Sequence, residues 1–340
     1  MIFTAAPESG RIALDEIGRV DRDARLLDWL EPGLGLVELG VDWAVLAALL
    51  RDRPPVFFRH LCPVQATVLL DRTPGDLDRL ARAVDSLSSH LDPGRAFSVQ
   101  ARLLGEMKAW PYGRFEVNQR LAAVLEAAGA TLDVRQPEQV LSAVCTPTQA
   151  YLGLSSAADN LSDWAGGMRR FKREAGQISR AEFKLLEAIE LFDLTLPAGG
   201  EALDLGAAPG GWTRVLRRRA MRVVAVDPAD LHPLIASDPA VTHVRRLAQD
   251  YLPAPVEFDL ILNDMRLDAR ESAELMLQAA ANLKAGGLAM MTLKLSGRKM
   301  AQVVDRSLHR LRREYVILGA RQLFHNRREV TVAMAKQGNQ

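Results

Sequence analysis

The residues with the clearest chemical purpose lie in Asp204-Leu205-Gly206-Ala207-Ala208-Pro209-Gly210-Gly211-Trp212, where an apolar run stops at Gly206 and Gly210-Gly211 lead into a helical pattern. Glycine lets a backbone turn sharply and come close to a ligand. A dinucleotide site prefers G-x-G-x-x-G, whose second glycine admits the pyrophosphate. Here Ala208 holds that place, and Pro209 removes a backbone donor from the turn. The turn therefore suits a cofactor without phosphates, of which S-adenosylmethionine is the obvious one. Asp227 ends the next apolar run, 21 residues after Gly206, where a carboxylate can accept both hydroxyls of an adenosine ribose. Asp250 is placed for the adenine amino group, and as a lone acid it also reads as a solvated loop residue or a cap. Asp204 is positioned to support the loop or the methionine ammonium. Trp212 is expected to lie under the cofactor or to wedge its helix against the sheet.

These residues need a frame. Strand patterns at Glu201–Leu205, Arg222–Val226, Phe258–Leu262 and Gly287–Leu293 alternate with helix patterns at Thr213–Arg219, Ser272–Leu283 and Met300–Arg313. Near-continuous apolar strands separated by helices predict a mostly parallel sheet covered on both faces. Tyr315–Gly319 and Glu329–Ala335 have no helix between them and should close the sheet as an antiparallel edge hairpin. The expected fold is α/β: a Rossmann-like, doubly wound domain over 178–340, with ligands at the strand C-termini.

The preceding residues divide into three further parts. Residues 1–54 form a short N-terminal piece, with strands at Ile12–Leu14 and Leu34–Leu39, a helix at Trp43–Arg51 and a stop at Pro54-Pro55. Residues 55–160 read as a small α+β module. Val56–Leu70 suggests a strand pair, Asp76–Leu91 and Phe115–Ala128 helices, and Phe97–Leu103, Val140–Val144 and Ala150–Leu154 strands. Residues 161–177 are a basic linker.

Composition excludes other classes. The chain has 340 residues, 48% hydrophobic and 25% charged, which is the balance of a globular protein. Cys62 and Cys145 are its two cysteines, too few and too far apart for a disulfide framework or a CxxC zinc site. The six histidines show no metal-binding spacing, so no metal is expected. The start lacks a signal-peptide pattern and no apolar run approaches the roughly 20 residues of a membrane span. A cytoplasmic home is the expectation.

Net charge is only +1, yet Arg169, Arg170, Lys172 and Arg173 form one basic knot. Arg298, Lys299, Arg327 and Arg328 belong to a second basic region. Local positive stripes on a neutral chain are the footprint of a phosphate-rich partner, or equally a solvated arginine-rich face.

Asp204–Trp212 resembles the DLGAAPGGW signature of the FtsJ-like ribose 2′-O-methyltransferases. Ser179-Arg180-Ala181-Glu182-Phe183-Lys184-Leu185 is similar to that family's SRAxxKL segment, Asn263-Asp264-Met265 to its strand-end aspartate, Thr292-Leu293-Lys294 to its second lysine and Arg328-Glu329-Val330 to its glutamate. The resemblance implies a catalytic Lys184, Asp264, Lys294, Glu329 tetrad, with Asp264 also beside the cofactor. It further implies an RNA partner. The likeness is greatest to the branch that acts on a cytidine ribose of 23S rRNA and carries a THUMP RNA-binding module. Residues Val56–Ser156 resemble that module, while residues 1–53 look shorter than the branch's usual leading ferredoxin-like piece.

The chemistry is consistent with the implied tetrad. A ribose 2′-hydroxyl is a very weak acid, so its proton must leave as the oxygen attacks the methyl. A lysine serves as the base only when neutral, and a neighbouring cation favours that state. On this reasoning Lys294 is the base, Lys184 lowers its pKa and helps hold the hydroxyl, Asp264 orients Lys294, and Glu329 bonds the base or the ribose. The basic residues position phosphates, and Trp110, Tyr112 and Phe324 are candidates for stacking on unpaired bases. Two other readings stand beside this one: a nicotinamide-dependent oxidoreductase, weakened by Ala208 and Pro209, and a non-catalytic RNA-binding assembly factor that keeps a cofactor pocket. A tRNA or another rRNA as acceptor also fits the same chemistry.

Overall fold

The computed structural model describes residues 1–253, 256–297 and 299–338. The chain divides into two compact units, Met1–Met168 and Arg169–Gln340. The first unit opens with β1 (Ile2–Ala5), α1 (Gly10–Val20), β2 (Arg25–Glu31), β3 (Leu34–Glu38), α2 (Trp43–Asp52) and β4 (Phe58–Cys62), whose strands lie in the order β2-β3-β1-β4. All three pairings are antiparallel, which makes this βαββαβ run ferredoxin-like.

Local pattern misleads in this region, for physical reasons. Ile12–Leu14 is not a strand; it lies in α1, where Gly10, Ala13 and Ile17 are buried at helical spacing. β1 shows no alternation because it is central in the sheet and all four of its residues are buried. The fourth strand lies past the expected stop at Pro54-Pro55, since β4 pairs with β1 across more than fifty residues of sequence. Val56–Leu70 does contain two strands, but they enter different sheets.

The second sheet of this unit comes from β5 (Ala66–Leu69), α3 (Asp76–Leu87), β6 (Phe97–Leu103), α4 (Arg114–Ala127), β7 (Gln139–Cys145) and β8 (Gln149–Ser156), in the order β5-β8-β7-β6. α3 and α4 cover one face. Leu80, Val84, Val117, Leu121 and Leu125 from the helices pack there with Phe97, Leu141 and Leu152. Trp110 and Tyr112, candidates for base stacking, belong to this core.

The second unit follows α5 (Ala181–Leu191), β9 (Glu201–Leu205), α6 (Gly211–Arg217), β10 (Arg222–Val226), α7 (Pro233–Ala236), β11 (Val241–Val244), α8 (Ala248–Tyr251), β12 (Phe258–Asn263), α9 (Ala269–Ala279), β13 (Leu283–Lys294), α10 (Met300–Leu311), β14 (Tyr315–Arg321) and β15 (Glu329–Lys336). Its seven strands lie in the order β11-β10-β9-β12-β13-β15-β14, the first five parallel and the last two antiparallel. This is the expected Rossmann-like, doubly wound sheet with an antiparallel edge hairpin. Among the described residues, no helix is long and apolar enough to cross a membrane.

Candidate active site

Sheet order brings the chemistry together. The ends of β12 and β13 and the start of β15 meet at one edge of the sheet, because β15 runs antiparallel beside β13. Asp264 directly follows β12, Lys294 ends β13, and Glu329 opens β15 as the register partner of Lys294. α5 supplies Lys184, whose Nζ lies 3.2 Å from Asp264 Oδ2 and 2.6 Å from Glu329 Oε1. Lys294 Nζ lies 2.6 Å from Asp264 Oδ1 and also bonds Glu329 Oε2. Each ammonium thus bridges both carboxylates. Thr292, which the sequence reading did not single out, donates from Oγ1 to Asp264 Oδ1 at 2.6 Å.

Burial acts first on these groups, but the charged partners outweigh it. Desolvation alone would lower the Lys184 pKa, yet Asp264 and Glu329 hold it above its ordinary value. Desolvation alone would raise that of Asp264, yet Lys294 and Lys184 hold it below the usual carboxylate range. Both lysines meet on Asp264 Oδ1, at 3.4 and 2.6 Å, with a carboxylate between their charges.

A cavity of about 260 Å³ runs over the glycine turn and ends at this cluster. Gly206, Ala207, Ala208, Pro209, Gly211 and Trp212 line it, with Asp204, Asp264, Lys184 and Lys294. Gly206 has a φ of 76°, and a Cβ there would stand 2.3 Å from Met265 Cγ. Gly210 has a φ of 107° and would collide with Ile235. The turn thus needs these glycines for its own backbone and packing. Its lining offers no cluster of cations for a pyrophosphate: apart from the paired lysines, only Arg266 adds positive charge. A phosphate-free cofactor with a cationic amino-acid end fits this donor set.

Asp204 is buried under the turn and accepts a hydrogen bond from Thr213 Oγ1 at 2.6 Å. Burial pushes its carboxyl up to about 7. The folded value lies above the unfolded one, so Asp204 contributes full stability below about pH 4 and loses it as pH rises through about 7. Asp204→Asn is therefore expected to gain melting temperature relative to the parent between pH 5 and pH 8. The gain corresponds to on the order of 2 kcal/mol, and thermal melts across that range would read it. A difference that does not change with pH would contradict the assignment.

Asp227 does not line the cavity. Its Oδ2 accepts from the Ala208 N–H at 3.1 Å and its Oδ1 from the Ala229 N–H at 2.8 Å, so in this structure it braces the turn. Asp250 is exposed on α8 and is likewise outside the lining. Trp212 is almost fully buried with Leu185, Val215 and Leu216, and its indole donates to the Ala181 carbonyl at 2.8 Å. It wedges the helix and also reaches the cavity wall.

A second cavity, of about 610 Å³, adjoins on the other side of the lysines, and Ala181, Lys184, Arg266 and Lys294 line both. Arg327, Arg328, Phe324 and His325 form part of its wall, along with Arg180. Arg180 and Arg266 are additions to the sequence candidates; their signal was adjacency, inside Ser179-Arg180-Ala181 and two residues past Asp264. Glu187, one turn along α5 from Lys184, accepts from the Phe324 and His325 N–H groups at 2.7 and 2.9 Å. Lys299 is exposed at the start of α10, outside this lining, and Arg298 lies outside the described residues. Arg170, Lys172 and Arg173 are exposed and line neither cavity. Arg169 is bonded to Glu190 at 2.6 Å and lies over the Phe171 ring.

Comparison with known proteins places the chain in a family. The FtsJ-like methyltransferase family matches residues 177–332. A ribosomal RNA large subunit methyltransferase M from Halorhodospira halophila is 37% identical over 50% of this chain and 50% of its own. The protein of that name from Thauera aminoaromatica is 30% identical over 82% of this chain and 78% of its own. That from Azoarcus is 29% identical over 93% and 90%. Against the Halorhodospira, Methylococcus and Laribacter relatives, the chain spans about half of their length.

Proposed function

We propose that this chain, which belongs to the FtsJ-like methyltransferase family and within it to the ribosomal RNA large subunit methyltransferase M group, methylates a ribose 2′-hydroxyl of RNA. S-adenosylmethionine is the methyl donor of this family. The acceptor assigned is a cytidine of 23S rRNA, in the cytoplasm, on naked RNA or a large-subunit precursor. One observation supports the reading above all others: the Lys184, Asp264, Lys294, Glu329 cluster stands where the two cavities share a wall.

Bound over the glycine turn, S-adenosylmethionine supplies a methyl group on a cationic sulfur. The chain's own residues do the rest. Gly206 to Trp212 and Asp204 hold the cofactor, with Asp227 keeping the turn in shape. Lys184, whose ammonium is favoured by its two carboxylates, stays protonated and donates to the acceptor oxygen. Lys294 is the base. In its neutral form it takes the hydroxyl proton as the acceptor oxygen attacks the methyl carbon. Asp264 and Glu329 hold both nitrogens against the reacting oxygen.

Arg180, Arg266, Arg327 and Arg328 position phosphates at the mouth, with Lys299 and the 169–173 knot on the RNA's approach. The second sheet of the first unit, β5 to β8 with α3 and α4, acts as the THUMP-like RNA-binding module, and 161–177 as a basic linker. Comparing ribose methylation across total RNA with and without the protein tests the assignment. One 23S cytidine is expected to lose its 2′-O-methyl group; an unchanged 23S rRNA map would overturn the target.

A further inference from the structure

The first unit holds a groove of about 550 Å³ beside β6, the edge strand of its second sheet, and this groove shares no lining residue with the methyl-transfer site. From its geometry we infer that it takes one unpaired nucleobase, read on its amidine edge by the backbone of Val99.

The edge is partly occupied on either side of Val99. β6 hydrogen-bonds to β7 through its even-numbered residues, as the Gln139 N–H to Ala96 carbonyl bond shows, so Phe97, Val99 and Ala101 turn their backbone groups outward. Phe97 is already satisfied, donating to the Thr131 carbonyl at 2.9 Å and accepting from the Asp133 N–H at 2.8 Å. The Ala101 N–H donates to Asn118 Oδ1 at 2.9 Å. Between these two positions stands Val99, whose N–H and C=O face the groove as one donor and one acceptor.

That spacing selects the ligand. An added peptide strand would bond to successive outward residues of an edge, and here both Phe97 groups and the Ala101 N–H are taken. A single planar base needs only one donor–acceptor pair. The walls fit a base as well. Phe115 is 72% exposed and Trp164 43% exposed, and both line the groove with Leu132 and Val134. Aromatic side chains displayed in this way are the usual platform for unstacked bases. The Arg114 guanidinium lies 5.0 Å from the Phe115 ring and is placed to meet the adjoining phosphate. Glu126 and Asp163 also line the groove and favour a base that carries an amino group. Adenine and cytosine both present an amino donor beside a ring-nitrogen acceptor, which matches Val99.

The site rests on the proposed RNA function only for the source of its base, and it can be tested apart from methyl transfer. The probes are fluorescein-labelled RNA hexamers, one of adenosine and one of purine riboside, which lacks the exocyclic amine. The full-length protein should bind the adenosine hexamer about tenfold more tightly than the purine hexamer, and Phe115→Ala should lose on the order of tenfold in affinity for the adenosine hexamer. Phe115 is mostly exposed, so that variant keeps the fold, and thermal melting verifies it. Equal affinity of the parent for the two hexamers overturns the Val99 reading, and an unchanged Phe115→Ala overturns the groove. A groove that serves a peptide would leave the affinity for both hexamers unchanged by Phe115→Ala, which also overturns it. A protein that binds the hexamer as described yet methylates no RNA refutes the proposed function and leaves this site standing.

Discussion

Lys294→Ala should lower the methyl-transfer rate by about 10²–10⁴-fold, the range a positioned general base supplies. Affinity for S-adenosylmethionine should stay within about threefold, because the change removes a reacting group and leaves the proposed cofactor turn intact. The side chain is a quarter exposed at the end of β13, so truncation opens no core cavity. Lys294→Arg sharpens the test. A guanidinium restores the charge between Asp264 and Glu329 but stays protonated, so it cannot act as a base. Rapid transfer by either variant, in single-turnover assays with saturating cofactor, would remove Lys294 from the role of base.

Asp264→Ala should be nearly as damaging and should also destabilise the second unit. It takes from Lys184, Lys294 and Thr292 the carboxylate they share, and leaves two ammonium groups with Glu329 alone. Removing one member of a largely buried charge cluster costs about 3–5 kcal/mol. The cost must depend on pH in a known direction. The folded pKa of Asp264 is depressed, so its stability is present above the unfolded value near 4 and is lost as pH falls through the folded value. Denaturant melts should show a full deficit at pH 7 that shrinks in acid. A deficit of the same size at pH 3 would show that the loss is one of packing and not of charge.

What the sequence reveals here follows how local each signal is. The glycine turn is legible because Gly206, Ala208 and Pro209 constrain one backbone stretch. Lys294 is legible because a lysine at the end of an apolar run must have a partner. The identity of that partner is a matter of sheet order. β15 lies beside β13 and places Glu329 in register with Lys294, and no residue spacing announces that.

The same limit hides β4 pairing with β1, since Pro54-Pro55 looks like the end of an element while the sheet continues past it. Short elements also give weak signals: β11 is four residues of mixed polarity, Val241-Thr242-His243-Val244, and α7 and α8 are single turns. Charge state is the least legible feature. Lys184 beside Lys294 reads as repulsion in one dimension, whereas in space Asp264 and Glu329 stand between them and favour the charged form of Lys184. Asp227 illustrates the point from the cofactor side, because a ribose-binding spacing and a turn-bracing hydrogen bond have the same sequence.

In the proposed function the cluster directs the methyl group to a sugar oxygen. RNA labelled by this protein with methyl-tritiated S-adenosylmethionine and then hydrolysed in alkali distinguishes the products. A 2′-O-methyl group removes the nucleophile that alkali needs, so the tritium should remain in an undigested dinucleotide. Tritium in mononucleotides instead would mean that the methyl sits on a base, and the lysine-centred account would be wrong.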